Sequence, residues 1–260
     1  MWRVFIGVGH GGKDPGAVGR VKEADANLTI ALEVQRILEM YGVTVGISRR
    51  RDEDDTLTEE VREANAFIPD LAVEVHNNAG GGDGWEAYVQ TNGFSTHSNA
   101  AAKAIEARVM ALGQKSRGIK VKKNGAGTAD YFGWLRDVKA PAVLLEGFFV
   151  DSADADDFDT EDKQRELGRA YAYGILDYFG IGINTTDVKE EENMSRYNTV
   201  EEIGKNADFA LPTVMKLIGM GVLRGSGTVV DKNGLPADMD LSRDMLRLMV
   251  FTDRAGGYDK

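Results

Sequence analysis

His10, Glu23 and His76 each stand where a short apolar run gives way to Gly-rich or polar sequence, and together they offer two imidazoles and one carboxylate. A hydrolytic zinc ion takes three protein ligands of this kind and keeps its fourth position open for water. The chain has only three histidines and no cysteine, so thiolate sites are excluded and any zinc must use imidazole and carboxylate. Each residue also has an ordinary reading. His10 or His76 alone suits a turn histidine bonded to backbone, and Glu23, between Lys22 and Asp25, suits a solvated acid at a helix start. The joint pattern favours ligands. Glu146 is harder to explain away, because it follows Ala142-Val143-Leu144-Leu145, and a carboxylate at the end of a buried strand needs a partner or a proton.

The elements that must position these groups follow from periodicity. Residues 2–8 form a short apolar run ended by Gly9, which reads as a buried strand. Ala26 to Tyr41 carries apolar residues at helical spacing and stops at Gly42. Val43 to Ile47 reads as a strand, and Thr56-Leu57-Thr58-Glu59 has the spacing of a capping box for a helix that ends before Pro69. Strands are expected at Leu71 to Val75, Trp85 to Val89 and Ala142 to Leu145, and helices at Asn99 to Leu112 and Asp162 to Phe179. This alternation implies an α/β fold with a twisted, mostly parallel sheet and helices on both faces. Ligands of such sheets bind beyond the carboxyl ends of the strands. His10, His76 and Glu146 should follow strands on that edge, with Glu23 in the loop before the first helix.

A net charge of -11 argues against a nucleic-acid partner, which needs a basic stripe. No run approaches the roughly 18 apolar residues of a membrane span. The opening run is too short for a signal h-region, so no signal peptide is expected. Residues 1–180 are expected to form the catalytic domain. The polar stretch within 181–196, through Lys189-Glu190-Glu191-Glu192, reads as a linker. Residues 197–260 are expected to form a small, mainly helical domain, with helices near Val200 to Ile218 and Leu241 to Thr252. Trp85, Tyr131, Phe132 and Trp134 suit either a glycan groove or the core, and Arg49 with Asp52 suits a structural ion pair.

Several motifs, in order, carry a family resemblance over about residues 1–180. They are His10-Gly11-Gly12-Lys13-Asp14-Pro15-Gly16-Ala17, Glu23-Ala24 with Asn27-Leu28, Arg49 with Asp52, Arg62 with Ala64-Asn65, His76-Asn77-Asn78-Ala79, and Leu145-Glu146-Gly147-Phe148. In these the chain resembles the zinc-dependent N-acetylmuramoyl-L-alanine amidases of the Amidase_3 type, common among phage endolysins and bacterial autolysins. The resemblance implies that His10, Glu23 and His76 bind Zn2+, that Glu146 is the catalytic carboxylate, and that the substrate is peptidoglycan, cut between N-acetylmuramic acid and L-alanine. Two positions depart from the family, which usually has Ser two residues before the second His and Asn in place of Asp151. The tail, from Ala210-Leu211-Pro212-Thr213 through Leu241-Ser242-Arg243, loosely resembles one S-layer-homology repeat. It reads either as a module holding a secondary cell-wall polymer or as a stabilising or dimerising appendage. A phage or prophage endolysin of a Gram-positive host is the leading expectation, made in the host cytoplasm and acting on the wall after release. The rivals are a bacterial autolysin or spore-lysis amidase, a catalytically inactive wall-binding protein, and a metallopeptidase acting on the peptide stem.

Overall fold

The computed structural model of the chain describes residues 1–183, 203, 210–220, 222–223, 235 and 249. It divides into two compact units, Met1–Ile183 and Asn184–Lys260.

In the first unit, strands and helices run in the order β1 (Arg3–Val8), α1 (Glu23–Met40), β2 (Thr44–Ile47), α2 (Leu57–Phe67), β3 (Leu71–Asn78), β4 (Trp85–Val89), α3 (Ser95–Ala111), β5 (Ser116–Lys120), α4 (Gly133–Asp137), β6 (Ala142–Phe149) and α5 (Glu161–Phe179). The capping box forms as the sequence indicates. Thr56 accepts from the Glu59 amide while the Glu59 carboxylate accepts from Thr56 N, which satisfies two otherwise orphaned donors of α2. Pro69 follows Ile68, whose left-handed backbone stops α2, and Gly180, also left-handed, stops α5.

The six strands lie in the order β2-β1-β3-β6-β4-β5. All pairs are parallel except β4 with β6, which is antiparallel. Alternation along β3 sends Val73, Val75 and Asn77 to one face and Ala72, Glu74 and His76 to the other. The first face lies under α1, α3 and α5, two of which span 18 and 19 residues. The second packs Phe5, Ala72, Ala142 and Leu144 against Ala64 of α2 and Trp134 and Leu135 of α4. That cover is shorter, 11 and 5 residues, and leaves room for a cavity at the carboxyl ends of β3 and β6.

The structure adds to the sequence reading at two points and corrects it at a third. β4 runs antiparallel to β6 and parallel to β5, a reversal within the mostly parallel sheet that hydrophobic alternation, which carries no strand direction, does not show. β5 and α4 went unread, since Ser116-Arg117-Gly118-Ile119-Lys120 is a mostly polar edge strand and α4 is barely more than one turn. Glu23 is the first residue of α1 instead of a loop residue, while His76 and Glu146 lie inside their strands as cross-strand neighbours.

In the second unit the helix expected near Val200 to Ile218 is described as α6, Leu211–Gly219, with Pro212 in its first turn. Val214 of α6 packs with Ile203 and Ala210, and Leu223 and Met249 lie against them. Apart from Met249, the helix expected at Leu241 to Thr252 lies outside the described residues. So does most of the expected linker, from residue 184 on.

Candidate metal centre

His10 is held in the left-handed region at φ 64°, an uncommon conformation for a residue with a side chain and a local cost that neighbouring contacts must offset. Glycines make the turn possible. A Cβ on Gly9 would lie 2.1 Å from His76 Cε1, and one on Gly16 2.7 Å from Glu23 Oε2, so neither position accepts a larger residue. Arg49 is buried and ties the frame together, donating to the carbonyls of Val8, Gly9 and Ala24 at 3.1, 3.2 and 2.8 Å. It thereby fixes the chain before His10 against the first turn of α1. The ion pair with Asp52 is replaced by this backbone clamp, and Asp52 accepts instead from Gly12 N at 2.7 Å. Asn27 donates to Gly9 O at 2.9 Å and accepts from Asn77 at 2.8 Å, a second brace across the same elements.

Within this frame Glu23 Oε1 lies 3.2 Å from His10 Nε2 and 3.0 Å from His76 Nδ1. The two rings are perpendicular, with centroids 4.9 Å apart. Among the described residues these three form the one His/Cys/Asp/Glu group whose ligand atoms all lie within 4.8 Å of one another. The other Glu23 oxygen accepts from Ala17 N at 2.9 Å, and His10 Nδ1 pairs with Asp14 Oδ2 at 2.8 Å.

The electrostatics follow from burial and contact. Burial alone would raise the Glu23 pKa, yet hydrogen bonds from His10 and His76 hold it well below the usual carboxylate range. The Glu23 hydrogen bond raises His10, against desolvation. For His76, desolvation works downward but is outweighed by Glu23 and Glu74, so its pKa lies well above the ordinary imidazole value. A metal-ready set of donors is therefore drawn together as an anion between two proton-holding rings. The donor chemistry, two imidazole nitrogens and one carboxylate oxygen with no thiolate, fits a borderline ion such as zinc.

Glu146 projects from β6 into the same cavity, opposite His76 in register, and its Oε2 is buried without a hydrogen-bond partner. Burial first of all, with Glu23, Glu86 and Glu74 adding to it against His76, pushes its pKa up to about 7. The cavity, about 440 Å³, is also lined by Glu60, Glu74, Asp55, Leu57, Phe132 and Trp134. All four expected site residues thus line one cavity. Of the aromatic candidates, Trp85 and Trp134 are fully buried, Phe132 reaches the cavity, and Tyr131 is exposed. Residues not foreseen for the site are Asp14, Asn27, Asn77, Glu60 and Glu74. Asp14, Asn27 and Asn77 had a signal, since each stands in a motif that carries the family resemblance, whereas Glu60 and Glu74 depend on which strand face or helix turn meets the cavity.

A sequence profile of the Amidase_3 family, described as N-acetylmuramoyl-L-alanine amidase, matches residues 4–177. The sporulation-specific N-acetylmuramoyl-L-alanine amidase of Bacillus subtilis (strain 168) is 32% identical over 185 residues, 70% of this chain and 69% of that protein. The endolysin of Bacillus phage SPP1 is 35% identical over 187 residues, 68% of this chain and 66% of its own. Among solved structures, the catalytic domain of CwlV, an N-acetylmuramoyl-L-alanine amidase from Bacillus (Paenibacillus) polymyxa var. colistinus, superposes with a TM-score of 0.61 at 29% identity, covering 70% of this chain and 100% of that domain. With its profile match running from β1 to α5 and His10, Glu23, His76 and Glu146 gathered at one cavity, this chain belongs to the Amidase_3 family of N-acetylmuramoyl-L-alanine amidases.

Proposed function

We propose that the protein is a zinc-dependent hydrolase of the endolysin type that cuts peptidoglycan between N-acetylmuramic acid and L-alanine. The observation that carries this reading is the convergence of His10, Glu23 and His76 beside the unpartnered Glu146 carboxyl. Two imidazoles and a carboxylate would hold the ion. Zinc bound there supplies Lewis acidity, lowering the pKa of water toward about 7 and polarising a carbonyl oxygen. Glu146, with its pKa near neutrality, takes a proton from attacking water and returns it to the departing L-alanine amine. Phe132 and Leu57 at the cavity wall supply apolar surface against which a glycan or peptide can lie. The test is digestion of purified Gram-positive peptidoglycan with metal analysis of the enzyme. One zinc per chain and new N-terminal L-alanine are expected, whereas new reducing ends or other amino termini would overturn the cleavage site.

The raised pKa values set a pH dependence for the metal-free protein. His10 and His76 bind protons more tightly folded than unfolded, so the stability they add is complete below the ordinary imidazole value and is lost as pH rises through their folded pKa values. Glu146, raised from 4.5 to about 7, adds a cost as it ionises over that interval, in the same direction. Glu23, depressed, keeps its contribution across this window and loses it only in strong acid. Metal-free protein should therefore lose stability between about pH 5 and pH 8, while zinc, which needs neutral imidazoles, binds better as pH rises. Thermal unfolding with zinc and with chelator should show a larger zinc-induced rise in Tm at pH 8 than at pH 6. Equal rises at both values would contradict it.

Residues 197–260 are proposed as a separate wall-targeting module for a secondary cell-wall polymer, supported by a family match that ends at residue 177 and a compact unit that ends at Ile183. A chain ending at residue 180 should keep its activity on soluble muropeptides. It should lose co-sedimentation with intact walls by about tenfold or more, since a tether acts through effective concentration. Unchanged wall binding would leave 197–260 as a stabilising or dimerising appendage.

A further inference from the structure

We propose that Glu74 is a positioning residue for His76, the outer carboxylate that fixes which of its ring nitrogens carries the proton and so tunes the metal centre. This rests on the reading of His10, Glu23 and His76 as ligands. Each imidazole of the cluster turns one nitrogen to Glu23 and the other to a second carboxylate. For His10 these are Nε2 on Glu23 at 3.2 Å and Nδ1 on Asp14 at 2.8 Å. For His76 they are Nδ1 on Glu23 at 3.0 Å and Nε2 beside Glu74 Oε1 at 3.5 Å, an ion-pair distance. Both rings thus stand between Glu23 and an outer carboxylate, with the two nitrogens exchanged and the outer contact tighter on His10, and Asp14 comes from a turn whereas Glu74 comes from a strand.

Glu74 is suited to the task by where it sits. It lies on β3 two residues before His76, so the pleat sends both side chains to one face at a fixed spacing. It is buried, at 4% exposure, next to Gly7 and Trp134, and a Cβ on Gly7 would touch Glu74 Cγ at 3.3 Å. A carboxylate buried to this degree needs a compensating group, and among the described residues its ion-pair partner is His76. An imidazole that ligates through one nitrogen carries its proton on the other, and a carboxylate there holds the tautomer and the ring plane and makes the ligand more basic. By this geometry His76 offers Nδ1, which faces Glu23, and keeps its proton on Nε2, which faces Glu74.

The test uses the full chain with zinc, read by competition with a chromophoric chelator, alongside Glu74→Gln and Glu74→Ser. Ser removes the carboxylate, and Gln keeps its shape without the charge. Zinc affinity should fall by about 10- to 100-fold in Glu74→Ser and by less, in the same direction, in Glu74→Gln. The melting of the metal-free proteins serves as a check on folding, since a merely structural role would lower it and leave zinc affinity unmoved. Long-range 1H–15N spectra of the zinc-loaded wild type should place the His76 proton on Nε2, a result that needs no variant. A proton on Nδ1, or wild-type zinc affinity in both variants, overturns the role of Glu74 while leaving the metal centre standing. A wild type that binds no zinc overturns the metal centre, and the role of Glu74 with it.

Discussion

Glu146→Gln is expected to lower turnover by about a hundredfold to ten-thousandfold, the usual worth of a positioned general acid-base group, with zinc content unchanged. Gln has nearly the same volume and projects from the same β6 position, so the register with His76 persists. Only the ability to take and return a proton is lost. The variant should also be more stable than the wild type in metal-free form at pH 8. A carboxyl whose pKa is pushed up to about 7 by burial is ionised there at a cost, and the carboxamide is not. Both changes come from one environment: the burial that readies Glu146 for proton transfer also penalises its charge. Turnover on peptidoglycan together with chemical denaturation at pH 8 checks the pair. A variant that clears walls at the wild-type rate would remove Glu146 from the mechanism.

His76→Ala is expected to abolish stoichiometric zinc binding and with it wall hydrolysis. It removes one of three donors, so affinity should fall by more than the roughly hundredfold that loss of an outer partner costs. The metal-free protein should be destabilised as well. Gly9 packs against the His76 ring, so truncation opens a void there, and buried Glu23 loses one of its two imidazole contacts. Glu23 keeps His10 and the Asn77 and Ala17 amides, so this loss is that of one hydrogen bond to a charged group, about 1.5–3 kcal/mol. Metal analysis after dialysis, paired with melting in chelator, separates the two effects. Full zinc occupancy in the variant would show that the ion does not depend on His76.

How much of this was legible in the chain differs by element, for physical reasons. α2 was readable almost to the residue, because its start is written locally in the Thr56 to Glu59 capping box and its end in Pro69. β1, β3 and β6 were readable as apolar runs, β1 to within one residue, while β3 and β6 run three and four residues further than expected at their carboxyl ends, and their parallel direction followed from the alternation with helices. β5 was not, since an edge strand is stabilised by its neighbour β4 and needs no apolar run of its own. The antiparallel turn of β4 was equally hidden.

At the site, residue types and spacing singled out His10, Glu23, His76 and Glu146 as candidates, and the family resemblance supplied the roles expected of them. Residue types also excluded thiolate ligation, because there is no cysteine to supply it. What the sequence could not determine is what stands behind those groups. Arg49 looked like one half of a structural ion pair until the fold closed β1 against α1 and left four backbone carbonyls, those of Val8, Gly9, Ala24 and Arg51, around its guanidinium. Glu74 looked like one polar residue in a strand until β3 and β6 paired under short helices, so that the face carrying it lined a cavity with His76. Ligand identity is a property of side-chain chemistry and is written residue by residue. The proton held on a ring, the pKa of a carboxyl and the direction of a guanidinium are properties of surroundings, and those exist only once distant segments have packed together.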